Sequence, residues 1–273
     1  MLLMAMLAVV SGAVITRPVA NMYSGPSEDL DVVSQALYGA NVGVVEDKGD
    51  WIKIRTTDDY TGWVSKSALL RGAPYAQSGK VAEVESLYAH LYREPDVTKR
   101  APLLTVPFET RLEVVAEPEK TPAWLQVRLP DDRPAWIQRG DIAFDPKHLT
   151  IPETIEFARR FLGLPYTWGG TSAYGYDCSG YMQMLCRRRG YTLPRDARPQ
   201  ADSIGVVPVA KDQVQPGDLL YFGASEKKIT HTGMYIGNGE FINATTHGKP
   251  VIRIERLDDA HWAGLLVACR RLK

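Results

Sequence analysis

The chain has 273 residues, and its 32 Lys plus Arg balance 32 Asp plus Glu to a formal net charge of zero. That length exceeds one compact domain and allows two or three modules, each with its own core. The balance argues against a nucleic-acid partner, which normally needs a basic face, and no apolar run is long enough for a membrane-spanning helix. The three cysteines, Cys178, Cys186 and Cys269, form no C-x-x-C pair, and no His or Cys cluster has zinc spacing. Neither a metal, a cofactor nor a disulfide framework is expected, and a monomer is the expectation for assembly.

Residues 1–13, MLLMAMLAVVSGA, are apolar and end in small side chains. They read either as a secretory leader, which would place the protein outside the membrane, or as a misplaced start before a buried strand at Ala8 to Ile15, compatible with a cytoplasmic protein. Beyond them the chain repeats itself. VANMYSGP at 19–26 is answered by YAHLYREP at 88–95, WIKIR at 51–55 by WLQVR at 124–128, and DDYTGWV at 58–64 by DDRPAWI at 131–137. Both copies carry short alternating runs broken by Gly, Pro and Asp, with no helical period, so each is expected to close into a small β-barrel, over 14–72 and 80–145. Their tryptophan, strand, turn and GWV order resembles bacterial SH3-like modules.

DPKHLTIPE at 145–153 reads as a linker into a third part, 150–273. Thr150 is expected to cap a helix with Pro152 and Glu153 in its first turn and Ile155, Ala158, Phe161 and Leu162 on its inner face, stopped by Gly163 and Pro165. A second helix should start at Cys178 and end at Gly190, with Tyr181, Met182, Leu185 and Cys186 at helical spacing. After Pro216-Gly217-Asp218 the period changes to strands, LLYFG, HTGMYIG, EFINA, VIRIE and LLVACRR, which gives an α+β plan.

Cys178 at a helix N-terminus is a candidate nucleophile, because backbone N–H groups and the helix dipole there favour a thiolate. Cys186 and Cys269 read as core. Of five histidines only His231 opens an apolar strand that could pack beside the helix, and His90, His148, His247 and His261 lie in turn-like or linker-like contexts. A third polar group should hold the imidazole, and Asn243 follows His231 across Gly237-Asn238-Gly239, with His247 as its rival. A two-residue Asn-Gly turn would pair Asn243 with Met234 and face it away from His231; a three-residue loop would pair it with Gly233, on the face of His231. The three-residue loop is the expectation.

LPYTWGG at 164–170, DCSG at 177–180, PRDA at 194–197, PGDLLYF at 216–222 and HTGMYIGNGEFINA at 231–244 together resemble the NlpC/p-sixty family of papain-like cell-wall peptidases. With the paired SH3-like modules, the whole is similar to the YkfC-type γ-D-glutamyl-L-diamino acid endopeptidases. The resemblance implies an α+β papain-like catalytic domain behind two all-β SH3-like barrels, peptidoglycan stem peptides as substrate, Cys178 as nucleophile, His231 as base and Asn243 at a third position that is commonly His in the relatives. It further implies that Tyr166, Trp168, Asp177, Ser179 and Asp196 line the substrate groove, with Asp196 and Tyr60 reading a free L-Ala amine. Each of these residues also has a plainer reading, as turn cap or core aromatic. An N-acetylmuramoyl-L-alanine amidase or acyltransferase on the same cysteine, and a non-catalytic wall-binding protein, are the alternatives.

Overall fold

The computed structural model describes residues 12–273, and the first eleven residues of the apolar N-terminal run lie outside that range. Gly12 and Ala13, the end of that run, belong to the strand Gly12–Ile15, which pairs with the strands Asn41–Lys48 and Leu69–Arg71. The chain divides into two units. One holds residues 36–144 with the segment before Val32, and the other holds Asp145–Lys273 with Val32–Gln35.

The N-terminal unit contains both β modules, and the internal repeat is visible in their conformations. Tyr23 meets Trp51 edge-to-face with ring centroids 5.6 Å apart, and Tyr92 meets Trp124 in the same way at 5.5 Å. In the first turn Asp59 sits at φ 65° and accepts from Arg55 at 2.5 Å; in the second Asp132 sits at φ 63° and accepts from Arg128 at 2.6 Å. A short polar side chain is what tolerates that left-handed backbone, so the same chemistry recurs wherever the same turn is made. The copies part at the next residue, the last before the strands Thr61–Ser65 and Pro134–Gln138: it is Tyr60 in the first and Arg133, paired with Asp131, in the second.

The C-terminal unit is a six-stranded antiparallel sheet with helices packed beside it. Its strands are β1 (Val206–Val209), β2 (Leu219–Ser225), β3 (Lys228–Gly237), β4 (Glu240–Thr245), β5 (Val251–Arg256) and β6 (Leu266–Leu272), in the order β1-β6-β2-β3-β4-β5. The helices are α1 (Ile151–Arg159), α2 (Cys178–Arg188) and the short α3 (Ala197–Ala201) and α4 (Ala260–Ala263). The strand expected to open at His231 begins three residues earlier, at Lys228, so the histidine sits inside the ladder opposite Phe222.

Thr150 and Glu153 form a reciprocal capping box at the start of α1. The inner face differs from expectation. Phe157 is buried and Leu162 is exposed, because after Arg159 the backbone tightens to i−3 bonds, with Phe161 N–H on Ala158 O at 3.1 Å and Leu162 N–H on Arg159 O at 3.2 Å. Three residues per turn rotate the side chains away from the 3.6-residue stripe. Phe161 remains buried and packs on Tyr176 and Tyr181, and the Tyr181 hydroxyl donates to Ala158 O at 2.8 Å, tying α2 to α1.

The first turn of α2 also lies hard against the loop before it. A Cβ on Gly180 would stand 2.2 Å from the carbonyl oxygen of Gly170, so the glycine of DCSG is required by close backbone approach. Gly180→Ala is expected to lower stability by about 1–3 kcal/mol, measured by urea denaturation. A variant as stable as the parent would contradict the close approach.

Candidate active site

α2 begins at Cys178 because Asp177 caps it: the Asp177 carboxylate accepts the backbone N–H of Gly180 at 2.7 Å. The same carboxylate accepts two bonds from the Arg195 guanidinium, at 3.1 and 2.5 Å, and the Ser179 hydroxyl at 3.2 Å. Arg195 in turn donates to the Ser179 hydroxyl at 2.9 Å and to the Ser34 hydroxyl at 3.2 Å, and its side chain is only 2% exposed. Asp177 and Ser179, two expected groove residues, therefore direct their side chains into a buried network that fixes the start of α2. An ion pair with its lone pairs and protons filled in this way can be buried without leaving an uncompensated charge.

The Cys178 side chain is buried, and the backbone N–H groups of Thr232 and Ser179 bond to its sulfur. That bond to residue 232 puts the sulfur next to His231 in the chain of β3. The helix terminus was expected to depress the thiol pKa, and here burial outweighs it. Desolvation, helped by the Asp177 charge, pushes the thiol up to about 12 against the pull of those N–H groups and Arg195. The imidazole is moved the other way. His231 packs in a near-parallel stack on Trp262, with centroids 4.9 Å apart, and beside Phe222. Desolvation lowers its pKa to about 4, assisted by His261 and opposed by the bond to Asn243 and the charge of Asp177. Both shifts favour the uncharged forms, a thiol and a neutral imidazole.

The His231 Nε2 lies 2.9 Å from Asn243 Oδ1. The route to that contact differs from the three-residue loop expected. Gly237 pairs with Glu240 across a two-residue turn of Asn238 and Gly239, at φ 54° and 74°, and the register then slips by one between Tyr235 and Gly237. Beyond this bulge Met234 faces Ile242, so Asn243 falls opposite Gly233 and on the face of His231. Gly233 permits the approach: a Cβ there would stand 3.1 Å from the Cβ of Asn243 and 2.8 Å from the Phe241 ring. His247, the rival for the third position, stacks instead on His261 with centroids 3.7 Å apart.

Around these three residues, Tyr166 is partly buried and its pKa is raised, first by burial and then by Cys178 and Asp177, so it belongs to the same neighbourhood. Trp168 is 69% exposed, which a core aromatic would not be. Asp196 is exposed at the N-cap of α3 and its side chain makes no capping bond. Tyr60 lies in the first β module of the other unit, and its carbonyl accepts the backbone N–H of Thr56 at 3.0 Å. Trp262, Arg195 and Glu255 were not singled out from the sequence. Trp262 lies in a four-residue helix with no periodic signal, while Arg195 and Glu255 stand beside or within stretches already noted, PRDA and VIRIE. Among the described residues no group of three or more His, Cys, Asp or Glu could hold a metal ion, and no helix is long and apolar enough to cross a membrane.

Residues 163–271 match the NlpC/P60 family, residues 18–70 the bacterial SH3 domain and residues 84–144 the YKFC SH3b2 domain. A gamma-D-glutamyl-L-lysine dipeptidyl-peptidase of Bacillus subtilis is 30% identical over 257 residues, 90% of this chain and 83% of that protein. The chain belongs to the NlpC/P60 family. A Bacillus cereus protein of the same name is 34% identical over 228 residues, 77% of this chain, which spans 66% of that relative's length. The crystal structure of an NlpC/P60 family protein from Bacillus cereus superposes with a TM-score of 0.84 at 27% identity, covering 96% of this chain and 99% of that one. The architecture is accordingly an α+β papain-like domain behind two all-β SH3-like modules, and the chain is an enzyme of a cysteine peptidase family.

Because the neutral imidazole is the form that can accept a proton, and its pKa is lowered, turnover should persist below the ordinary histidine range. The acid limb of kcat/KM is expected near pH 4, following the His231 value of about 4. A limb at the unperturbed histidine value of about 6.5 would contradict the buried, desolvated imidazole.

Proposed function

We propose that the protein is a cysteine endopeptidase that hydrolyses the γ-D-glutamyl-L-diamino acid bond of peptidoglycan stem peptides, with Cys178 as nucleophile, His231 as base and Asn243 as its orienter. The observation that carries the reading is the 2.9 Å bond from His231 Nε2 to Asn243 Oδ1 beside a cysteine at the N-terminus of α2. The relatives named gamma-D-glutamyl-L-lysine dipeptidyl-peptidase supply the substrate class.

With Nε2–H given to Asn243, Nδ1 is the basic nitrogen and takes the Cys178 proton as the sulfur attacks the γ-carbonyl carbon of D-Glu. The pair begins neutral, so proton transfer and attack are coupled, and the charge forms only as the tetrahedral intermediate forms. The oxyanion is met by the Cys178 backbone N–H, which has no intrahelical acceptor at the helix start, and by the Tyr166 hydroxyl. The imidazolium then returns its proton to the departing amine of the diamino acid, leaving a thioester. Water, deprotonated by His231, attacks the thioester carbonyl and releases the γ-carboxylate and the thiol. Asp177, Ser179 and Arg195 hold the helix start and with it the oxyanion donor.

The free L-Ala amine is read by Asp196, an exposed carboxylate at the edge of α3, and Trp168 forms a wall of the groove. A carboxylate facing an ammonium group selects for that charge, because an N-blocked substrate forfeits the charge-assisted bond.

Cys178→Ala is expected to abolish hydrolysis of L-Ala-γ-D-Glu-L-Lys with the fold intact, and mass spectrometry of the wild-type reaction should show L-Ala-D-Glu and free lysine. Release of the intact stem peptide with a free L-Ala amine from N-acetylmuramoyl peptides would instead favour an amidase. Asp196→Asn should raise KM for the free-amine tripeptide roughly tenfold, the worth of one charge-assisted hydrogen bond, and leave the N-acetylated tripeptide unaffected. An equal change for both substrates would remove Asp196 from amine recognition.

A further inference from the structure

We propose that Glu255 is a positioning residue for His231, acting through the amide of Asn243; this rests on the hydrolase reading, since it concerns the base of that same site. An asparagine is an ambiguous orienter. Its oxygen accepts and its nitrogen donates, and a half-turn of the amide exchanges the two. Only the oxygen-first arrangement requires the proton on Nε2 and leaves Nδ1 able to take a proton from the cysteine.

Asn243 is fully buried, so water does not choose between the arrangements. The choice is made by what faces the other end of the amide. Asn243 Nδ2 lies 3.3 Å from Arg253 O and 3.4 Å from Glu255 Oε2, both acceptors. A flipped amide would press its oxygen against a carbonyl and a carboxylate and lose both bonds. The sheet makes this possible, because Asn243 pairs with Arg253 across β4 and β5, and Glu255, two residues further along, projects from the same face of β5. Glu255 is itself buried, and Arg253 Nε stands 3.2 Å from its other oxygen and holds the carboxylate in place.

The other charged or titratable groups that act on His231 are Asp177 from the start of α2 and His261 from α4, on which His247 of the β4–β5 turn is stacked. Asp177 and His261 move the imidazole pKa through space; the bond to Asn243 distinguishes Nε2 from Nδ1.

Two variants and one spectroscopic measurement test this. Glu255→Met keeps length and bulk but removes the acceptor; Glu255→Gln keeps a carbonyl acceptor. Glu255→Met is expected to lose roughly tenfold in kcat with KM changed by less than about twofold, and Glu255→Gln to retain kcat within about twofold. Imidazole 15N shifts of His231 should report the Nε2–H tautomer alone in the wild type and Glu255→Gln, and a mixture of tautomers in Glu255→Met. The proposal is overturned by a wild type protonated on Nδ1, by an unmixed tautomer and unchanged kcat in Glu255→Met, or by Glu255→Gln as impaired as Glu255→Met. The wild-type spectrum stands even where Glu255→Met does not fold. The spectra need no substrate, so the expected tautomers in an enzyme that leaves the tripeptide intact would sink the hydrolase reading and spare this one.

Discussion

The site depends on a single residue of strand register. The period of a strand is two, so a slip of one moves every side chain of β4 to the other face of the sheet. The tight turn at Asn238-Gly239 would by itself send Asn243 away from His231, and the bulge between Tyr235 and Gly237 restores the register that brings Nε2 and Oδ1 to 2.9 Å. Gly233, opposite Asn243, leaves the space for that approach. The turn and the bulge are therefore one device, and neither alone builds the site.

Cys178, the proposed nucleophile, is placed by an independent device. Asp177 caps α2, Arg195 neutralises and orients Asp177, and Gly180 lets the 167–170 loop approach the helix start. The environment that results is buried and it favours neutral forms: the thiol is pushed up and the imidazole down. A low-dielectric site of this kind strengthens the hydrogen bonds that fix geometry and keeps charge from forming before a carbonyl is present to receive it.

Much of the architecture was legible in the sequence. The repeat was carried by Tyr23, Trp51 and Asp59 and their counterparts Tyr92, Trp124 and Asp132, because identical turns and edge-to-face pairs need the same residue types. Cys178 at the head of a helix followed from local spacing, and so did the Thr150 cap. The limits were set by tertiary context. The tightening after Arg159 that turned Leu162 outward is a backbone choice with no residue signature, and the thiol pKa could not be signed without knowing that burial exceeds the pull of the helix terminus. Trp262 meets His231 on β3 and Glu255 meets Asn243 on β4, contacts that exist only once α4 and β5 are in place. The facing of Asn243 was reached with the wrong loop, since a bulge and a longer turn shift register by the same one residue.

The most direct measurement is acid-quenched mass spectrometry of the enzyme during turnover of L-Ala-γ-D-Glu-L-Lys. The account predicts a thioester adduct of L-Ala-D-Glu on Cys178, located by fragmentation of tryptic peptide 161–187, which also holds Cys186, and its absence in Cys178→Ala. Lysine release without any adduct on Cys178, or an adduct on Cys186 or Cys269, would contradict it.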